Sequence, residues 1–350
     1  MILKELTELN GISGSEYNVM EFIKSHVEKY ADNIQVDSMG NLIAFKKGIK
    51  GKYKVMLSAH MDEVGLMVTG YQDGMLKFKN VGGLDDRILP GKRVLVGDKR
   101  LPGIIGVKPI HLQERDERGV NIKLKSMYVD IGADKKEEAE VLAPLGEYIA
   151  FHSEYTELGN DVVKAKALDD RVGCAILMEL IKEKYDFDLY VCFTVQEEVG
   201  LRGSEVAAYR IKPHLALVME GTTCSDVPGV EEHSYSSTLG GGAVLTIMDR
   251  TSYSDKALVN YLYKLGEENN IKVQFKRTTT GGNDAGKIQL TGSGVKVASI
   301  SVPCRYIHSP VSVMSKRDYN SCLELAKLAL NEFNSDEIIG RLIDFKTGEN

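Results

Sequence analysis

Four apolar runs of strand length in this chain stop at, or just before, a histidine or a carboxylate, and that repetition restricts the possible folds more than any other feature. The runs are Tyr53-Lys-Val-Met-Leu-Ser-Ala-His60, Leu189-Tyr-Val-Cys-Phe-Thr-Val195 ahead of Gln196-Glu197-Glu198, Leu215-Ala-Leu-Val-Met-Glu220, and Val297-Ala-Ser-Ile-Ser-Val302 ahead of a loop bearing His308. Apolar runs of this length, bounded by turn signals, read as buried strands. In open α/β sheets the loops leaving the carboxyl edge surround a crevice where ligands and catalytic groups collect. Polar endings on several such strands therefore predict an α/β fold with one site at a sheet edge.

Each ending has an ordinary explanation when taken alone. His60 could simply close a strand, since solitary histidines have many uses. Asp62, two residues on, is spaced to accept a hydrogen bond from the imidazole nitrogen that faces away from a metal. Asp169 and Asp170 stand where helical periodicity begins, in Leu168-Asp-Asp-Arg171, and Asp is a preferred N-cap. The same tetrapeptide at Leu84-Asp-Asp-Arg87 runs into Ile-Leu-Pro-Gly, a turn signal, so only the later copy is assigned to chemistry. Glu197 and Glu198 close a hydrophobic strand, a poor place for a solvated pair. Their side chains diverge, so one can bind metal while the other faces substrate.

Taken together, these endings concentrate acidic groups at the ends of buried strands. Unpartnered buried carboxylates each cost on the order of several kcal/mol, so clustering them requires a compensating cation. A divalent metal pair meets that requirement. Nitrogen and oxygen ligands without thiolate favour zinc, cobalt or manganese over a structural cysteine site.

The ordered set His60-x-Asp62, Ala167-Leu-Asp169-Asp170-Arg171, Gln196-Glu197-Glu198-Val-Gly, Glu220 and Tyr306-Ile-His308-Ser-Pro310 resembles the TET-type metallo-aminopeptidases of metallopeptidase family 42 over nearly the whole chain. Members include glutamyl and leucyl aminopeptidases, and some carry a cellulase label. The resemblance implies a zinc-peptidase-like α/β domain with a mixed central sheet and helices on both faces. It also implies a co-catalytic pair of divalent ions, usually zinc or cobalt, and release of the first residue from short peptides. On this likeness Asp169 bridges the ions, His60 and Glu220 bind one, and Glu198 and His308 bind the other. Glu197 becomes the general base and Asp62 the partner of His60. The family often has Asp where this chain has Glu220, which changes the reach of that ligand. Family members form dimers that assemble into a hollow tetrahedral dodecamer, and the same is expected here.

Composition narrows the remaining classes. At 350 residues the chain can bury a substantial core and has room for two domains. A net charge of −6, with no long basic run, argues against a nucleic-acid partner. No apolar stretch approaches the roughly 20 residues of a membrane span, and the first residues, Met1-Ile-Leu-Lys-Glu-Leu, are too acidic for a signal peptide. Five cysteines without CxxC spacing read as core residues in a reducing compartment, so a cytoplasmic location is expected.

The texture of the chain changes twice. Residues 1–66 give a helix and then strands ending at His60, while residues 160–350 alternate strands and helices as α/β units do. Between them, residues 67–159 hold short β-like runs separated by turns such as Gly82-Gly83, Pro90-Gly91 and Pro102-Gly103. This middle stretch reads as a small β-rich domain inserted into a discontinuous catalytic domain, and the resemblance gives it a role in dimerisation and assembly. Thr278-Thr-Thr-Gly-Gly-Asn-Asp284 lacks the Lys-Ser/Thr ending of a phosphate loop. Arg250, Arg277 and Arg305 are candidates to meet an acidic substrate side chain. Besides the aminopeptidase, a related dinuclear-metal deacylase uses the same ligand logic. A glycosidase (endoglucanase) needs two carboxyl groups around a sugar but no histidine ligands.

Overall fold

The computed structural model describes residues 2–344. The chain begins with helices Ile2–Glu8 and Tyr17–Val27 and strands β1 (Asn33–Val36), β2 (Leu42–Lys46) and β3 (Lys54–His60). It continues through β4 (Gly65–Gln72), β5 (Met75–Val81), β6 (Arg93–Val96), β7 (Leu101–Gly106), β8 (Tyr128–Asp130) and β9 (Tyr148–Phe151). The rest adds β10 (Thr156–Leu158), β11 (Val162–Ala165), β12 (Asp188–Thr194), β13 (Leu215–Cys224), β14 (Ala243–Thr246), β15 (Val273–Phe275), β16 (Lys296–Arg305) and β17 (Ser312–Ser315). Helices Leu168–Leu180, Arg202–Ile211, Lys256–Glu268, Ala285–Ile288, Lys316–Glu332 and Asp336–Ile343 connect and follow these strands.

Among the described residues, eleven strands make one mixed sheet, ordered β1-β2-β12-β3-β13-β16-β17-β11-β10, with β14 paired to β16 and β15 beyond it. β12, β3, β13 and β16 run parallel. Central parallel strands are covered on both faces, which is why their sequences read as almost unbroken apolar runs. In β3, Val55, Leu57 and Ala59 face one hydrophobic cluster with helices Leu168–Leu180, Lys256–Glu268 and Lys316–Glu332. Met56 faces the other, with Ala207, Ala208 and Ile211 of helix Arg202–Ile211 and with Ala285 and Ile288. Side chains alternate along a strand, so Ser58 and His60 share the face of Met56. Each fully buried aliphatic side chain in these layers contributes about 1.5–3 kcal/mol.

The strands between Gly65 and Phe151 close on themselves as a six-stranded barrel, β4-β5-β8-β7-β6-β9. Closure removes exposed strand edges, and Leu66, Val68, Leu76, Phe78, Val94, Ile105, Val129 and Phe151 fill the interior. The barrel leaves the sheet just after His60 and the chain rejoins it at β10, so the roots of the barrel flank the crevice.

Glu220 was expected to end its strand, yet β13 runs on to Cys224. β16 extends alongside it, pairing Glu220 with Ser301 and Cys224 with Arg305. β3 pairs with β13 only from Leu215 to Val218. Beyond that point β13 has parted from β3, and Glu220 lies there with its Oε1 3.3 Å from His60 Nε2.

Candidate active site

The site is built from segments that leave the parallel strands at the same edge. Thr194, the last residue of β12, is in register with His60, the last of β3, so Gln196-Glu197-Glu198 starts beside the imidazole. Asp169 and Asp170 lie at the start of helix Leu168–Leu180, but their backbone is not helical, and a cis peptide joins them. Both carboxylates reach His60, Asp169 at the ring and Asp170 at the backbone amide. Asp170 accepts from the His60 amide at 3.1 Å and from the Gly173 amide at 2.9 Å. Gly221 lets this segment approach β13, since a Cβ there would meet Asp169 Cα at 2.9 Å.

Several non-glycine residues around the site occupy the left-handed region: Ala167 at φ +51°, Gln196 at +56°, Tyr306 at +55° and His308 at +55°. Each such conformation costs about 1–3 kcal/mol and persists only where surrounding contacts hold it. His308 is held by its ring, whose Nδ1 lies 2.9 Å from the Gly83 carbonyl oxygen at the root of the barrel.

The side chains converge on Asp169. Its Oδ1 lies 3.2 Å from His60 Nε2, and its Oδ2 lies 3.5 Å from His308 Nε2. Glu220 Oε1 is 3.3 Å from His60 Nε2, and Glu198 Oε1 is 3.3 Å from His308 Nε2. Glu197 Oε2 stands at 3.9 Å from His60 Nε2. All of the expected site residues are thus brought together: His60, Asp62, Asp169, Glu197, Glu198, Glu220 and His308.

Asp62 does something the spacing alone did not suggest. The closer acceptor for His60 Nδ1 is the Asp62 backbone carbonyl, at 2.9 Å, with the carboxylate Oδ1 at 3.4 Å. The carboxylate instead receives the amides of Glu197 at 3.0 Å and Glu198 at 3.1 Å and the Ser13 hydroxyl at 2.6 Å. Charge-assisted bonds of this kind are stronger than neutral ones.

Protonation follows burial and crowding. Burial, with like charge from Glu220 and Glu198, drives Glu197 well above the usual carboxylate range. Burial and the nearby Asp169 charge push Glu198 up to about 7 and Glu220 up to about 8. Burial also pushes Asp169 up, but hydrogen bonds from His308 and His60 outweigh it and hold Asp169 below its ordinary value. Burial lowers the histidines, yet the surrounding carboxylates prevail, raising His60 strongly and His308 to about 9.

Such crowding fits cations. Ligand atoms of His60, Asp170 and Glu220, and separately of His60, Asp169 and Glu198, lie within 4.8 Å of one another. Glu220 is 6% exposed, and its Oε2 is buried with no hydrogen-bond partner. A buried carboxylate oxygen without a donor needs a positive partner, and the donor set is the oxygen and nitrogen mixture that zinc, cobalt or manganese accepts.

Some participants escaped the sequence. Asp170 joins the cluster although only Asp169 was singled out. Lys166, Glu63 and Arg171 form a buried charge network beneath it, with Lys166 Nζ 2.5 Å from Glu63 Oε1 and Arg171 donating to the carbonyls of Met61 and Leu6. Asp284, in the Gly-rich loop, is buried against Ser58 at 3.0 Å and Thr194 at 2.6 Å. Of the candidate arginines, Arg305 spends its charge on Asp226, with both bonds at 2.7 Å. Arg277 donates to the Glu232 carbonyl.

Comparison with known proteins places this arrangement in a class. The chain is 32% identical over 342 residues to the lysyl aminopeptidase of Pyrococcus furiosus, covering 95% of this chain and 96% of that protein. Among solved structures, the TET aminopeptidase of the marine sediment archaeon Thaumarchaeota archaeon SCGC AB-539-E09 aligns with a TM-score of 0.93 at 33% identity, over 97% of this chain and 98% of the other. The Pyrococcus horikoshii TET1 peptidase, described as able to assemble into a tetrahedron or a large octahedral shell, aligns with a TM-score of 0.84 at 34% identity, over 94% and 98%. The fold and the likenesses define an aminopeptidase, a hydrolase acting on peptide N-termini. Residues 40–325 match the family model described as M42 glutamyl aminopeptidase, and the chain belongs to that family.

Proposed function

We propose that this protein is a dinuclear metal aminopeptidase that releases the first residue from short peptides with a free amino group. The observation that carries the reading is the geometry of Asp169, whose two carboxylate oxygens face two different histidines at 3.2 and 3.5 Å. Asp169 would lie between the two ions, with His60 and Glu220 holding one and Glu198 and His308 the other. When bound, a pair of zinc or cobalt ions, or manganese, supplies Lewis-acid polarisation of the scissile carbonyl and lowers the pKa of the attacking water.

The chain's own residues do the rest. Glu197 takes a proton from the water as its oxygen adds to the carbonyl carbon, then delivers that proton to the amine as the C–N bond breaks. Burial raises its proton affinity towards the range this shuttle needs. Asp62 fixes the amides of both glutamates, so Glu197 keeps its aim while Glu198 holds its ligand position. Two histidines converging on one carboxylate are foreign to the two-carboxylate logic of a glycosidase.

In this reading residues 1–66 and 160–350 form the catalytic domain and 67–159 the assembly domain, and the enzyme acts in the cytoplasm. Exposed Ile104, Ile110, Leu112 and Val120 on the barrel segment supply apolar surface of the kind that association covers. Dimers and then a tetrahedral dodecamer would result, and a monomer in light scattering at working concentration would refute that assembly.

The catalytic reading is tested with paired peptides that differ only in acetylation of the N-terminus. Release of single residues from the free forms alone is the expected result. Equal cleavage of acetylated peptides would replace the aminopeptidase with a deacylase-type amidohydrolase.

A further inference from the structure

We propose that Ser13 and Glu16, in the loop between the first two helices, are positioning residues for the Gln196-Glu197-Glu198 turn. The inference rests on the reading of Glu197 as general base. The backbone amides of these three successive residues are each caught by a buried carboxylate from the amino-terminal part of the chain. Gln196 donates to Glu16 Oε1 at 3.1 Å, and Glu197 and Glu198 donate to the two oxygens of Asp62 at 3.0 and 3.1 Å. Glu16 Oε1 also receives the Gly14 amide at 2.7 Å, and Ser13 Oγ donates to Asp62 Oδ2 at 2.6 Å.

The turn needs such a clamp. Gln196 sits at φ +56°, a conformation that a non-glycine residue abandons unless its surroundings impose it. If the turn relaxed, the direction of the following side chains would change. Glu197 and Glu198 would then leave the imidazoles that they face at 3.9 and 3.3 Å. The clamp itself is anchored independently of the turn. The Gly11 amide donates to Glu63 Oε1 at 3.1 Å, and the Glu63 amide donates back to the Gly11 carbonyl at 2.9 Å. Lys166 holds the Leu9 carbonyl at 2.7 Å, and Arg171 holds that of Leu6. Residues 6–16 therefore buckle together the segments at 60–63, 166–171 and 196–198, and Ser13 and Glu16 are the teeth that grip the last of these.

Neither residue touches the reacting atoms, so the test must separate aiming from folding. Ser13→Ala, Ser13→Thr, Glu16→Ala and Glu16→Gln are compared with the unaltered protein for kcat, KM, melting temperature and zinc affinity, the last by titrating zinc chloride into chelated protein against a chromogenic chelator. Loss of one bond to a buried charge should lower kcat about tenfold in each alanine variant, with KM within about twofold. Ser13→Thr and Glu16→Gln keep a donor and an acceptor and should recover most of the rate. Ser13→Ala should also weaken zinc binding about threefold, because Asp62 holds the Glu198 amide as well. Unchanged kcat and zinc affinity in both alanine variants would overturn the proposal. So would losses that track a fall in melting temperature and persist in the Thr and Gln variants. Glu197→Gln, run in parallel, separates the two ideas: full activity there removes Glu197 as the base, whereas the zinc affinity of Ser13→Ala still decides the clamp.

Discussion

Glu197 is buried and His308 partly exposed within one site, and their expected behaviour differs accordingly. Glu197 is buried with its carboxylate 3.9 Å from the His60 ring, within reach of the site without being consumed by it, which suits a group that must carry a proton. Glu197→Gln should keep a normal metal content while turnover falls on the order of 10²–10⁴-fold, as read by kinetics alongside elemental analysis. His308 is partly exposed, and its ring is tethered by the Gly83 carbonyl. His308→Ala should lose metal as well as activity, and a variant that still binds two ions per chain would dismiss His308 as a ligand. These residues were legible because each interrupts or follows an apolar run with a group that a buried strand end cannot otherwise tolerate. Ser13, Glu16 and the Glu63-Lys166-Arg171 network gave no such signal. Their partners lie between about 50 and 180 residues away, and nothing in the local sequence of Ser13 distinguishes it from a loop serine.

At the scale of elements, the carboxyl-edge rule located the site because β3 and β12 end in register, His60 against Thr194. The rule misjudged β13, whose end is set by its neighbour β16 and so could not be read from its own residues. Barrel closure was likewise hidden, since short runs such as Arg93–Val96 show texture without pairing order. The helix that starts at the Asp169-Asp170 pair depends on Gly173, where a Cβ would meet Asp170 Oδ2 at 2.4 Å. Gly173→Ala should therefore destabilise the fold by about 1–3 kcal/mol, the usual cost of overpacking, and an unshifted urea midpoint would contradict that packing. Beneath the same helix, Lys166→Met would remove the nearest cation from the buried Glu63 carboxylate, leaving it the Gly11 amide at 3.1 Å and the Arg171 guanidinium at 3.5 Å. Removing one partner of a buried ion pair costs about 3–5 kcal/mol, so this variant should melt well below the parent in calorimetry.

For the molecule as a whole, the crowded carboxylates make stability depend jointly on pH and metal. Without metal, Glu198 and Glu220 hold protons up to about 7 and 8 when folded, against 4.5 when unfolded. The folded state thus binds more protons above pH 4.5, so its stability falls as pH rises through that window. His308 acts in the same direction: its contribution is complete below 6.5 and is lost as pH rises through about 9. The melting temperature of chelated protein should consequently drop between pH 6 and 9. Metal ligands must be deprotonated, so the gain from added zinc should grow over that same range. A melting temperature that ignores pH in the chelated form would show that the cluster does not carry this strain.

The dinuclear site is tested by titrating zinc, and separately cobalt, into chelated protein while release of the first residue from a free-amine peptide is followed against its acetylated twin. A dinuclear aminopeptidase should show no turnover after chelation, recovery that saturates near two ions per chain, and cleavage of the free peptide only. Full activity in the chelated protein, or equal cleavage of the acetylated peptide, would contradict it.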